Sequence, residues 1–402
     1  YYSPFATKTL NGPAIDRIES EVADQIISPQ GYQAIEQLLF AEKWSSAQYN
    51  KLVFLLDEML AVIDRLEKEP DRVYQFKTEL VWDAMRSALA ELTSNGITGF
   101  DSPVANLSVS EGIASIRGIK SLLSLLQANL KKEQTAGFPG IDNRLNKAIV
   151  YLQQHTDFNR FDRLEFIRSY INPLYRDLVK ARKGAGIGVP EGRSAINYDA
   201  ASLFDEDAFN VNFYSPPPEY WATPERVKLG KQLFSDPILS GPHTRSCASC
   251  HKPELAFTDG LAKPFALDGI TLLPRNTPTL WNSGYQTKQF MDSRSDILEN
   301  QLGEVVHNLQ EMEGSLKASV TELKSIPEYK AQFEKAYPAE KDPVNPFTIA
   351  NAISSYVRSL RSLNSRFDQY VRGNQAAMSA EEKNGFNLFA GKAKCATCHF
   401  IP

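Results

Sequence analysis

Cysteine and histidine are scarce in this chain of 402 residues, with four of the first and five of the second, and no run of about 18 apolar residues offers a membrane-crossing helix. Neither sign of charge dominates, since 44 Lys and Arg face 48 Asp and Glu for a formal net charge of −4. That balance excludes a broad electrostatic attraction to nucleic acid or anionic lipid as the organising chemistry. The opening YYSPFATKTL has no basic stretch followed by an apolar one, so no export signal of its own is expected in this sequence. What is present, 42% hydrophobic and 23% charged side chains over this length, suffices for two or three globular cores.

The few cysteines are concentrated. All four lie in two copies of one pattern, Cys247-Ala-Ser-Cys250-His251 and Cys395-Ala-Thr-Cys398-His399. In Cys-x-x-Cys-His, two thiols can add to the vinyl groups of one haem while the adjacent imidazole ligates its iron. Zinc ribbons place their Cys pairs some 15 to 20 residues apart, whereas these pairs begin at 247 and 395, and a ribbon needs no His after each pair. Each motif is therefore expected to carry one covalent haem c, a disulfide within each pair being the alternative.

Most of the chain reads as helix. Between Ser46 and Lys68 the apolar residues Leu52, Leu55, Leu56, Met59, Leu60, Ile63 and Leu66 keep the spacing of one helical face. Further helices are expected near 13–27, 30–41, 71–93, 108–132, 142–155 and 159–182, which makes the fold class all-α. Residues 184–222 then hold Gly184, Gly186, Gly188, Pro190, Gly192 and the triplet Pro216-Pro217-Pro218, a composition that suits an extended linker.

A short repeat, G-x-x-L-F, precedes each haem motif, at Gly230 to Phe234 and at Gly385 to Phe389. Thr223 with Pro224 starts the first of these helices, and Ser379 with Glu382 forms a capping box for the second. Glycine costs about 1 kcal/mol against alanine inside a helix, so its recurrence predicts close approach by another helix.

These features together resemble the bacterial di-haem cytochrome c peroxidase superfamily, which includes the di-haem enzymes that mature methylamine dehydrogenase. The resemblance spans about 223–402 and rests on Leu229-Gly-Lys-Gln-Leu-Phe-Ser-Asp-Pro-Ile-Leu-Ser240, Pro274-Arg-Asn-Thr-Pro-Thr279, Phe290-Met-Asp-Ser-Arg294, Asn308-Leu-Gln-Glu-Met312 and Asn384-Gly-Phe-Asn-Leu-Phe-Ala-Gly-Lys-Ala393. It implies two cytochrome-c-like domains, at 223–345 and 346–402, behind a helical bundle at 1–183 and a linker at 184–222. It implies that the first haem, with His251 as proximal ligand, is peroxidatic, and that the second, with His399, receives electrons. Glu311 matches the family's acid/base glutamate and Asn276 an asparagine that helps hold calcium. The implied activity is periplasmic reduction of hydrogen peroxide with electrons from a small cytochrome c or a copper protein. A di-haem oxidase of a protein or organic substrate and a pure electron-transfer cytochrome are the alternatives. Nucleic acid and a membrane span are not expected, and the oligomeric state is left open, a homodimer included.

The sequence departs from the family at three places. The loop Phe265-Ala-Leu-Asp268-Gly269 lacks the histidine that caps the resting peroxidatic iron in many members. Met291 replaces the family's tryptophan, with Trp281 nearby. All candidate Met ligands for the second haem, Met291, Met312 and Met378, precede its motif. His307, four residues before Glu311, is a candidate distal ligand or relay if both lie on one helix, while His155 and His243 are read as structural. In the bundle, Gly31-Tyr-Gln33-Ala-Ile-Glu36 resembles the G-x-H-x-x-E stretch of imelysin-like proteins. Gln33 stands at the ligand position, and an amide is a poor replacement for imidazole on a transition metal. Glu36 is therefore expected on the helix surface and the bundle to serve as an interaction module.

Overall fold

Leu52, Leu55 and Met59 turn one stripe of α2 (Ser46–Lys68) onto Ala34 and Ile35 of α1 (Gly31–Leu39), as their spacing predicts. The computed structural model describes residues 10–12, 17–18, 26–68 and 77–401. Periodic burial continues through α3 (Thr78–Glu91) at Trp82, Met85 and Leu89, α4 (Ser108–Asn129) at Ile116, Ile119 and Leu123, and α5 (Phe138–Gln154) at Ile141, Leu145 and Leu152. After α6 (Arg163–Phe166) a π-helical turn, Ile167–Ile171, leads into α7 (Asn172–Gly184). Two polar side chains inside this core find partners: Trp82 Nε1 donates to the Leu178 carbonyl at 3.1 Å, and the buried Arg86 donates to Tyr175 Oη at 2.9 Å.

The expected helix near 13–27 is corrected in part. Arg17–Ile18 and Ile26–Ile27 form a two-residue antiparallel strand pair, where β-branched isoleucines favour the extended backbone. The rest of that span lies outside the described residues, as do 71–76 of the helix expected near 71–93.

The chain divides into two compact units, and the division corrects two expected boundaries. The first unit joins the residues up to Gly192 with Tyr198–Ala208 and the residues from Asn364 onward, while the second comprises Arg193–Asn197 and Phe209–Leu363. Glycine and proline do end α7, but Leu203, Phe204 and Ala208 are then buried in the first unit rather than strung out in solvent. The buried Arg182 also ties the turn after α7 by donating to the carbonyls of Ile187 and Gly188. The boundary expected at 345/346 fails for a packing reason. Every residue of α13 (Pro346–Ser359) from Thr348 to Arg358 is buried, so this helix is central to the unit that holds the first motif.

In that second unit, Leu229, Leu233 and Phe234 of α8 (Pro224–Ser235) share a core with Ile349, Ala352, Ile353 and Tyr356 of α13. Gly230 makes the contact feasible: a Cβ there would lie 1.9 Å from the Ala352 carbonyl oxygen. Gly385, its counterpart in the repeat, has nothing within 4 Å. The close approach expected of both glycines holds for Gly230 alone.

Candidate functional site

The first motif sits on a short, capped turn. Ser246 precedes α9 (Cys247–Cys250) and its backbone N–H donates to Ser249 Oγ at 3.0 Å. Thr223 caps the helix upstream, accepting from the Arg226 N–H at 3.2 Å. His251 closes the turn by donating its backbone N–H to the Cys247 carbonyl at 2.9 Å. Its Nδ1 lies 2.9 Å from the Phe257 carbonyl, which the left-handed Ala256 and Phe257 aim back at the ring. With the Nδ1 proton donated there, Nε2 is the nitrogen left for a metal. Burial lowers the His251 pKa and so favours the neutral imidazole that ligation needs. Burial also pushes the Cys247 thiol up to about 12 and raises that of Cys250. All four cysteines are free thiols, so the donor set fits covalent haem attachment.

Glu311 stands on a turn that follows α10 (Leu298–His307). The Asn308 carbonyl accepts the N–H groups of Glu311, Met312 and Glu313, while Asn308 Nδ2 donates to Glu311 Oε1 at 2.7 Å. Burial holds this carboxyl above the ordinary glutamate range, opposed by the Asn308 hydrogen bond and by the charges of Arg294 and Arg245. Its own charge helps push the Cys250 thiol up, which puts Glu311 within electrostatic reach of the first motif. The segment that lacks the expected histidine is fastened to the same turn. Arg245 donates to the carbonyls of Phe265 and Ala266 at 3.1 and 2.8 Å, and the Leu267 N–H donates to the Gln310 carbonyl at 2.7 Å.

The helical pairing of His307 with Glu311 is not present, because α10 ends at His307, which is exposed. Met291 is 87% exposed, whereas Trp281 packs edge-on against Phe257 with ring centroids 5.6 Å apart. Asn276 is exposed, and among the described residues no group of three or more His, Cys, Asp or Glu is placed to hold a metal ion; calcium is not shown. Sequence reasoning missed Arg245 and Arg294. Arg245 stands two residues before Cys247 and Arg294 ends the Phe290 to Arg294 stretch, but only the fold brings their charge to Glu311.

The second motif belongs to the first unit. Ser379 and Glu382 form the expected capping box of α15 (Ala380–Ala390), with reciprocal hydrogen bonds of 3.3 and 2.8 Å. The backbone at Lys394 is left-handed and starts the turn Cys395–Thr397. Here too the His399 N–H donates to the first cysteine's carbonyl at 2.9 Å. Cys398 and the His399 side chain are exposed and free to meet a large planar group.

Residues 224–376 match the family model described as di-haem cytochrome c peroxidase. Methylamine utilization protein MauG of Methylorubrum extorquens is 40% identical over 177 residues, which are 44% of this chain and 50% of that protein. Cytochrome c551 peroxidase of Pseudomonas aeruginosa is 36% identical over 175 residues, again 44% and 50% of the two chains. A solved MauG-like protein associated with microbial copper homeostasis aligns with 33% identity and a TM-score of 0.41 over 44% of this chain and 53% of its own. The chain spans about half the length of the curated relatives it matches. The family match begins at the helix that leads into the first Cys-x-x-Cys-His motif, and over residues 224–376 this chain is similar to di-haem cytochrome c peroxidases.

Proposed function

We propose that the protein is a periplasmic di-haem peroxidase that converts hydrogen peroxide, two electrons and two protons into two molecules of water. Cys247, Cys250 and His251 would hold the haem at which peroxide reacts. Cys395, Cys398 and His399 would hold the haem that takes electrons from a small cytochrome or copper protein. Periplasmic residence follows from the same motifs, because haem is attached to them outside the cytoplasm. Haem, when bound, supplies redox-active iron; this chain supplies the ligand, the proton carrier and the field around it. The observation that carries the reading is the Glu311 carboxyl, held by Asn308 on a turn that the Leu267–Gln310 hydrogen bond joins to the segment bound by Arg245, two residues before Cys247.

Glu311 in its ionised form accepts the proton of peroxide's near oxygen and returns it to the departing one. Asn308 fixes the carboxyl while this happens, and Arg245 and Arg294 keep a fraction of it ionised despite burial. A positioned acid/base group contributes about 10² to 10⁴ in rate, roughly 3 to 5 kcal/mol of barrier at 1.36 kcal/mol per decade. In protein whose alkaline pyridine haemochrome gives near two haems per chain, Glu311→Gln should lose peroxide turnover by that order with its haem spectrum unchanged. Full turnover in the variant would remove Glu311 from the chemistry and favour the electron-transfer or oxidase alternative.

A further inference from the structure

The second motif is fixed on both sides by the N-terminal helical bundle, a part of the chain outside the peroxidase match. Immediately before Cys395, Lys394 Nζ donates to the Pro103 carbonyl at 2.5 Å. Directly after His399, Phe400 packs edge-on against Phe100 with centroids 5.2 Å apart, and Ala396 between the two cysteines is fully buried. The loop that receives these residues is itself held by one carboxylate. Glu36 accepts from Ser102 Oγ at 2.6 Å, from the Ala105 N–H at 3.0 Å and from the Val104 N–H at 3.3 Å. Glu36 is thus half-buried and fully engaged, which corrects its reading as helix surface.

A second tie lies one turn of α15 upstream. Asn387 accepts from the backbone N–H groups of Arg163 and Leu164 at 2.9 and 3.3 Å and donates to Asp162 at 2.9 Å. A side chain of the haem segment therefore helps cap a helix of the bundle. Arg163 is fully buried and binds the carbonyls of Ile97, Phe161 and Phe158. Beside it, a Cβ at Gly391 would lie 2.4 Å from Arg163 Nη1, so the approach to the motif is cut to fit this guanidinium.

We propose that the helical bundle is the seat of the second haem site, with Glu36, Asn387 and Lys394 as positioning residues that fix the Cys395–His399 peptide. Ordering a residue's backbone costs about 1 to 2 kcal/mol, and the contacts of Lys394 and Phe400 with the bundle help offset that cost for the Cys395–His399 peptide. Through them the bundle sets how His399 and the two thiols are presented. This rests on the reading that Cys395 and Cys398 carry haem.

The test uses holoprotein carrying Asn387→Ala, Lys394→Met, Glu36→Ala or Glu36→Gln, with the first haem as internal control. Haem per chain, electron paramagnetic resonance spectra and potentiometric titration are the readouts, and far-ultraviolet circular dichroism reports the bundle. The expected result is a changed spectrum, a shifted potential or lost occupancy at the second haem alone, smaller for Glu36→Gln than for Glu36→Ala because the amide keeps an acceptor. Unchanged second-haem properties in both Asn387→Ala and Lys394→Met overturn the proposal, and so does equal loss of both haems. A ratio near one in the unsubstituted protein, with the second motif empty, overturns the two-haem reading as well, whereas silent variants in a two-haem protein overturn this proposal only.

Discussion

At the scale of the residue, burial and charge pull the Glu311 carboxyl in opposite directions. Burial is the larger effect and holds its pKa above the ordinary value. Below that raised value the group is protonated and cannot accept peroxide's proton, so kcat/KM for peroxide should fall on acidification through it. Arg294, stacked on the Phe290 ring 3.5 Å away and paired with Asp292 and Glu304, is one of the two charges opposing burial. Arg294→Leu should therefore move the acid limb to higher pH, and Glu311→Gln should abolish it. A pH profile of steady-state kcat/KM checks both, and a limb that stays in place without Arg294 would remove its charge from the account. The carboxylate itself is legible in the sequence through Asn308 to Met312. Its electrostatic partners are not, since Arg245 lies far off in the chain and reaches the site by binding the Phe265 and Ala266 carbonyls.

At the scale of the element, the two G-x-x-L-F helices share a sequence pattern and differ in packing. Gly230 meets the Ala352 backbone, which cannot step aside as a flexible side chain would, whereas Gly385 meets open space. Overpacking in a core costs typically about 1 to 3 kcal/mol and occasionally more, while alanine for glycine in an unobstructed helix gains about 1 kcal/mol. Gly230→Ala should therefore be destabilising by about 3 kcal/mol, and Gly385→Ala neutral to stabilising by up to about 1. Urea unfolding followed by circular dichroism separates these outcomes, and equal effects would mean that α8 can shift away from α13. Helix positions such as Leu52, Leu55 and Met59 are legible because a buried face has a period. The backbone a glycine faces has none, so the sequence cannot distinguish Gly230 from Gly385, nor announce the π-turn at Ile167–Ile171.

At the scale of the whole molecule, the path of the chain between units is what composition conceals. A run with four glycines and a Pro-Pro-Pro triplet reads as a tether, yet part of it, Tyr198–Ala208, is core material of the first unit. Phe204 decides between the two descriptions. Its side chain is 2% exposed, its ring packs edge-on against Phe367 at 5.5 Å, and its carbonyl accepts from Arg372 at 2.7 Å. Phe367 and Arg372 come from the stretch leading to the second haem motif, so Phe204 joins segments that lie far apart in sequence within one core. A tether residue changed to alanine alters stability by no more than about 0.5 kcal/mol, whereas truncating a buried phenylalanine costs about 3 to 5. Phe204→Ala should fall in the second range in urea unfolding. Because its ring contact is to the segment that ends in Cys395–His399, the variant's second haem should also lose its native spectrum at lower denaturant than the first, with both haems still covalently attached. A change within the tether range would place residues 198–208 outside the core of the first unit.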